Sequence, residues 1–208
     1  MDSRQAPVCF KGRYTRGYIP HHDFAGATLG ITFRLADSVP ARLLRAYASA
    51  LEGGDRPPSD QRIHDRVRSH MERYLAKGRG SCLLRDPGTA SIVEQVLRAG
   101  DPAEYSLMAW VVMPNHVHVV IRRTAQSTLA QIVRRWKGRS ARSINAALGR
   151  TGPLWFRDYF DRDLGLRDDE VRRAIRYVEL NPVKAGLCHR PQDWAFSSAG
   201  SGGEQAAG

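Results

Sequence analysis

Cysteine is scarce: only Cys9, Cys82 and Cys188 are present, and no two form a Cys-x-x-Cys pair. An odd, scattered set excludes a disulfide framework or a zinc ribbon and suits a reducing compartment. Long apolar runs are missing too. Nothing approaches the ~18 residues of a membrane span, and Met1 to Pro20 is too polar and basic to hold the apolar centre of a signal peptide. A cytoplasmic protein with no membrane partner is expected. The third absence is local: Arg122 to Arg157 carries nine Lys or Arg and no Asp or Glu. The whole chain has 32 Lys and Arg against 21 Asp and Glu, a net charge of +11, which favours a polyanion and nucleic acid first.

What remains is ordinary globular material. The 208 residues, 42% hydrophobic and 25% charged, suit one domain or one domain with an insertion. The chain is organised around Met113-Pro-Asn-His-Val-His-Val-Val-Ile121, set between the apolar runs Leu107 to Val112 and Val119 to Ile121. Pro114-Asn115 is the only turn signal there, so the stretch reads as a tight hairpin. Alternation along a strand turns His116, His118 and Val120 to one face. Two imidazoles about 6 to 7 Å apart along a strand can converge on one ion. They can equally be hydrogen-bonded residues of a half-buried sheet.

The other elements follow from pattern. Met1 to Phe24 is basic and turn-rich and reads as an N-terminal arm. Leu29 to Leu35 is a strand by its β-branched and aromatic content, and Val39 to Leu51 a helix. Arg56-Pro-Pro-Ser59 breaks the chain. Ile63, Val67, Met71, Tyr74 and Leu75 then recur at helical spacing, with Gly78 as the stop. A short helix is expected from Ala90 to Ala99. After the hairpin, Leu129, Ile132, Val133, Trp136, Ser140, Ile144 and Leu148 form one helical stripe, opened by the Thr128 and Gln131 of a capping box. Phe156 to Leu164 reads as an edge strand. A last helix is expected with Asp168 or Asp169 as its cap and Pro182 as its end. The resulting fold class is α+β: a ferredoxin-like split βαβ antiparallel sheet with helices on one face, and extra helices inserted at about 55–100. The expected division is an arm at 1–24, a catalytic domain at 25–187 and a tail at 188–208, disordered from about Gly200.

Tyr177 and Asn181 are four apart on the last helix and so share a face. Core packing and a helix cap are the ordinary uses of such residues. Beside the hairpin they would instead supply an oxygen ligand and a phenol nucleophile. Three ordered blocks then resemble a known family. Val112-Met-Pro-Asn-His-Val-His-Val-Val-Ile121, Gly152-Pro-Leu-Trp-Phe-Arg-Asp-Tyr-Phe-Asp161 and Tyr177-Val-Glu-Leu-Asn-Pro-Val-Lys-Ala-Gly-Leu187 are similar to the REP-associated tyrosine transposases. These are IS200-like, single-tyrosine members of the histidine-hydrophobe-histidine superfamily. Arg16 to His21, Thr32 to Asp37 and Pro191 to Ser198 match as well, so the resemblance spans about residues 16 to 198.

The resemblance implies that His116, His118 and Asn181 bind a divalent ion, Mg²⁺ or Mn²⁺, and that Tyr177 attacks a DNA phosphate. The implied activity is that of a single-strand endonuclease and strand transferase. It works through a 5′-phosphotyrosine on single-stranded or hairpin DNA, as a monomer or homodimer, in a bacterial cytoplasm at the nucleoid. Arg134, Arg135, Lys137, Arg139 and Arg142 of the acid-free stretch, with Arg16 and Lys184, are the expected DNA contacts. Two alternatives remain at this level. One is a DNA-binding module or autorepressor without catalysis. The other is a histidine-triad nucleotide hydrolase, which would need a third histidine where Val120 stands.

Overall fold

The computed structural model of the protein describes residues 12–16, 19–52, 61–165 and 167–201; within its elements, the side chains of 13–20, 22, 47, 48, 50–52 and 61–65 are not among them. The Arg56-Pro-Pro-Ser59 break, Cys9, the first eleven residues of the expected arm and the end of the tail lie outside the described residues, as does the Arg16 side chain. Two short strands, β1 (Gly12–Arg16) and β2 (Ile19–Asp23), pair as an antiparallel ribbon. The main sheet holds β3 (Thr28–Arg34), β4 (Tyr105–Met113), β5 (His116–Arg123) and β6 (Phe160–Asp163), in the order β4-β5-β3-β6 with every neighbour antiparallel. That order, with β5 between β3 and β4, is the expected split βαβ arrangement. Helices α1 (Ala41–Glu52), α2 (Gln61–Leu75) and α3 (Pro87–Arg98) lie between β3 and β4. Helix α4 (Leu129–Ala147) joins β5 to β6, and α5 (Asp168–Glu179) and the short α6 (Asn181–Lys184) follow. Among the described residues no helix is long and apolar enough to cross a membrane.

Helices cover both faces of the sheet, which corrects the expectation of one. Leu29, Ile31, Phe33, Trp110, Val112, Val117, Val119 and Ile121 meet α3 and α4 in the main core. Ala109, Val111, Met113 and Val120, on the other face, meet Val171 and Val178 of α5. The reason lies in β4 and β5, which are apolar at successive positions, as strands covered on both sides must be. A third cluster, Val39, Val67, Met71 and Leu75, anchors α2 beside Phe160 of β6.

Local chemistry sets the helix ends. Asp86 caps α3 by accepting from Thr89 N–H, with Pro87 in the first turn, so this helix starts three residues before the expected Ala90. The Thr128–Gln131 capping box of α4 is formed as expected. Helix α5 departs from expectation: Arg167 is its N-cap with no side-chain bond, and Asp168, Asp169 and Glu170 fill the first turn, where the helix dipole favours them. Nor does Pro182 unwind Asn181. Leu180 keeps right-handed helical geometry, and the proline sits in the first turn of α6, where no N–H is needed.

Both sides of the sheet are bordered by the chain's outer segments. His21 of β2 meets Asp161 of β6 at 2.5 Å, and Asp23 binds Arg123 at 2.5 Å while accepting from Leu129 N–H at the start of α4. Beside β4, Val112 N–H donates to the Phe196 carbonyl, Ser198 N–H donates to that of Trp110, and Trp194 Nε1 donates to the carbonyl of Val112.

Candidate active site

The hairpin register pairs Met113 with His116, and β5 sends His116 and His118 to the α5 side of the sheet. Both imidazoles are buried, at 1% and 3% exposure. Their Nε2 atoms stand 3.0 Å apart and the rings are nearly perpendicular, at 88°. Asn115, in the turn, fixes one of them. Its amide nitrogen donates to the carbonyls of Leu75 and Arg79, which leaves Oδ1 facing His116 Nδ1 at 2.7 Å. Nδ1 of His116 must therefore carry the ring proton, and Nε2 presents its lone pair.

Thr32 of β3, directly across the ladder from His118, meets His118 Nδ1 at 2.8 Å. A hydroxyl can accept or donate, so His118 can hold its proton on either nitrogen. With the proton on Nε2, the two rings share a hydrogen bond. With it on Nδ1, both lone pairs converge on one point, as a shared cation requires. Two nitrogens about 2.1 Å from an ion and at right angles to each other are about 3.0 Å apart. Burial opposes charging either ring: His118 is pushed down to about 4 by burial and the Lys184 ammonium, and His116 well below its ordinary value by burial and His118.

Among the described residues no group of three or more His, Cys, Asp or Glu is placed to hold a metal; an amide oxygen is one donor that can join two imidazoles. Asn181 has the chemistry for that. It is buried, and its amide nitrogen donates to the Tyr177 carbonyl at 2.8 Å, which turns the side chain by its own helix and leaves Oδ1 as the remaining polar atom.

Tyr177 stands on α5 with its ring 6.0 Å from that of His118 and the Lys184 ammonium 4.3 Å from its centroid. Its hydroxyl donates to Glu72 Oε2 of α2 at 2.9 Å. Burial, and next Glu72, hold the phenol well above its ordinary value. Together Tyr177, His118, Thr32 and Glu72 wall a cavity of about 440 Å³, in which Arg68, Arg162 and Arg173 supply positive charge and Asp161 and Glu170, with Glu72, negative charge.

The structure thus brings His116, His118 and Tyr177 together, with Lys184 beside them. It does not bring α4 to them, because α4 packs on the opposite face of the sheet. Arg134, Arg139 and Arg142 are exposed on that helix. Arg135 binds Glu104, and Lys137 donates to the carbonyls of Phe156 and Arg157, so both have protein acceptors. Sequence reasoning missed Asn115, Thr32, Glu72 and the three cavity arginines. Only Asn115, next to the histidines, left a local signal.

Residues 75–181 match the family described as Transposase IS200 like. The chain belongs to the IS200-like transposase family. As a member it is a DNA-binding transposase whose chemistry cuts DNA. No curated protein matches the chain. Among solved structures, this transposase is similar to a REP-associated tyrosine transposase bound to a REP hairpin, at 17% identity and a TM-score of 0.55, over 93% of this chain and 86% of that one. At that identity the likeness is one of fold, and it agrees with the α+β architecture. A candidate transposase from Deinococcus radiodurans is 17% identical over 81% of this chain and 96% of its own, with a TM-score of 0.35.

Proposed function

We propose that this transposase is a metal-dependent single-strand endonuclease and strand transferase in which Tyr177 attacks a DNA phosphate, on a hairpin substrate. The observation that carries the reading is the convergence of the Tyr177 phenol and the paired imidazoles on one side of the sheet, beside a cavity lined by three arginines and three carboxylates. His116, His118 and Asn181 would hold Mg²⁺ or Mn²⁺, since imidazole with amide oxygen and open positions suits such an ion better than a closed structural zinc site. When bound, the ion supplies polarisation of the scissile phosphate and stabilises the charge that develops on it.

The protein's own groups do the rest. Thr32 and Asn115 orient the imidazoles. Arg68, Arg162 and Arg173 attract the phosphodiester into the cavity. The phenol then forms a 5′-phosphotyrosine and releases a 3′-hydroxyl, and the retained ester energy allows rejoining without ATP. A phenol recessed beside α2 needs an unpaired strand, which favours hairpin DNA with a single-stranded flank. Arg134, Arg139 and Arg142 of α4 and Lys184 of α6 are the proposed DNA contacts.

Tyr177→Phe tests this reading. The variant should bind hairpin DNA and Mn²⁺ like the wild type yet leave no covalent protein-DNA band on a denaturing gel. A persisting band, or peptide mapping that puts the DNA on another tyrosine, refutes the assignment.

A further inference from the structure

Helix α2 precedes most of the family-matched segment, and residue 72 lies wholly before it, since the match begins at residue 75. Glu72 nevertheless reaches the reacting oxygen. Its apolar neighbours Met71 and Leu75 lock α2 onto the sheet beside Phe160, so the carboxylate is held by packing and not by a loop. Its Oε2 takes the Tyr177 hydroxyl at 2.9 Å, at the wall of the cavity.

A phenol that attacks phosphorus must lose its proton, and the bond along which that proton can leave is already formed. We infer that Glu72 is a catalytic residue of this transposase, the general base that takes the Tyr177 proton during cleavage and returns it during rejoining. The inference rests on Tyr177 being the nucleophile.

In cleavage the Tyr177 Oη–P bond forms, the P–O3′ bond breaks, the phenolic proton passes to Glu72, and O3′ leaves with the electron pair and takes a proton from solvent. Rejoining reverses each transfer, with the Glu72 carboxyl protonating the departing phenolate. The surroundings suit a group that must work in both directions. Burial raises Glu72 above the ordinary carboxylate range, against the lowering effect of the Tyr177 hydrogen bond and of Arg68 on its own helix, Arg162 on β6 and Lys184 on α6. Arg173, Glu170, His118 and Asp161, the last bound to His21, complete the charged or titratable groups that share the cavity with it.

The test follows covalent adduct formation on a 3′-labelled DNA hairpin with single-stranded flanks, with Mn²⁺, from mildly acid to alkaline pH. Glu72→Gln should slow the adduct by roughly 100-fold or more near neutrality, the range for a lost general base. Loss of the metal ligands in acid affects wild type and variant alike, so the alkaline side decides. There the wild-type rate should level off, while that of Glu72→Gln keeps climbing as hydroxide replaces the carboxylate.

Glu72→Ala should recover activity with added formate, which a purely structural role would not allow. A wild-type rate and pH profile in Glu72→Gln overturns the inference and leaves the Tyr177 reading intact. So does a Glu72→Gln defect traced to lost Mn²⁺ affinity by calorimetry, which would make the carboxylate a metal ligand. Absence of any adduct in the wild type, or its survival in Tyr177→Phe, overturns both.

Discussion

At the scale of single residues, Asn115 shows how a turn residue can govern chemistry. Its two donor bonds to Leu75 and Arg79 leave one orientation for the amide, and that orientation decides which His116 nitrogen is free. Groups that orient a ligating imidazole typically contribute 10- to 100-fold in metal affinity. Asn115→Ala should therefore weaken Mn²⁺ binding by about that factor in a calorimetric titration, with the secondary structure unchanged. An unaltered affinity would mean that the turn plays no part in the site. The histidines, Tyr177 and Asn181 were singled out in sequence by the blocks that resemble a known family, since spacing alone left them as ordinary sheet and helix residues. Glu72 was not, because it meets Tyr177 across 105 residues of chain and reads as an ordinary polar residue of an amphipathic helix. Thr32 was hidden for a related reason: only the β3–β5 register sets it against His118.

At the scale of elements, Tyr105 ties three of them together. It opens β4, donates its hydroxyl to the Leu97 carbonyl of α3 at 2.5 Å, and accepts from Trp136 Nε1 of α4 at 2.8 Å. Burial pushes its phenol up to about 12, and the residue is 1% exposed. An unfolded tyrosine ionises near pH 10. The stabilisation is therefore complete below about pH 10 and is lost as pH rises towards the folded value, an effect of order 2 kcal/mol. Urea unfolding at pH 9 and at pH 11.5 should reveal that loss. In a Tyr177→Phe background, which removes the phenol raised in the active site, adding Tyr105→Phe should reduce the difference. The long periodic elements, α4 above all, were readable from sequence because a stripe and a capping box agree. The end of α5 was not. A rule about the residue before proline gave way to a fresh helical turn at Asn181, and at the other end the cap expected of Asp168 or Asp169 gave way to a dipole effect in the first turn.

For the whole molecule, the sheet order was readable because two hairpin strands and two crossovers leave few topologies. The two-sided cover was missed because β4 was read as the first arm of a hairpin and not as a strand apolar in both registers. A four-stranded open sheet has two unsatisfied borders, and long apolar borders recruit other chains. At β6 the border is only four residues long and lies beside the β1–β2 ribbon. At β4 it is nine residues long, and Phe196 and Ser198 occupy the Val112 N–H and the Trp110 carbonyl in its second half. In sequence the Pro191 to Ser198 block was one more point of family resemblance; in the fold it works as a seal against self-templating. Truncation after Arg190 should uncover Trp110 and Val112 together and turn a well-behaved sheet into an adhesive one. Sedimentation velocity should then resolve oligomers that grow with protein concentration and are absent from the full chain. A truncated protein that sediments unchanged would locate the barrier to strand addition in β4 itself.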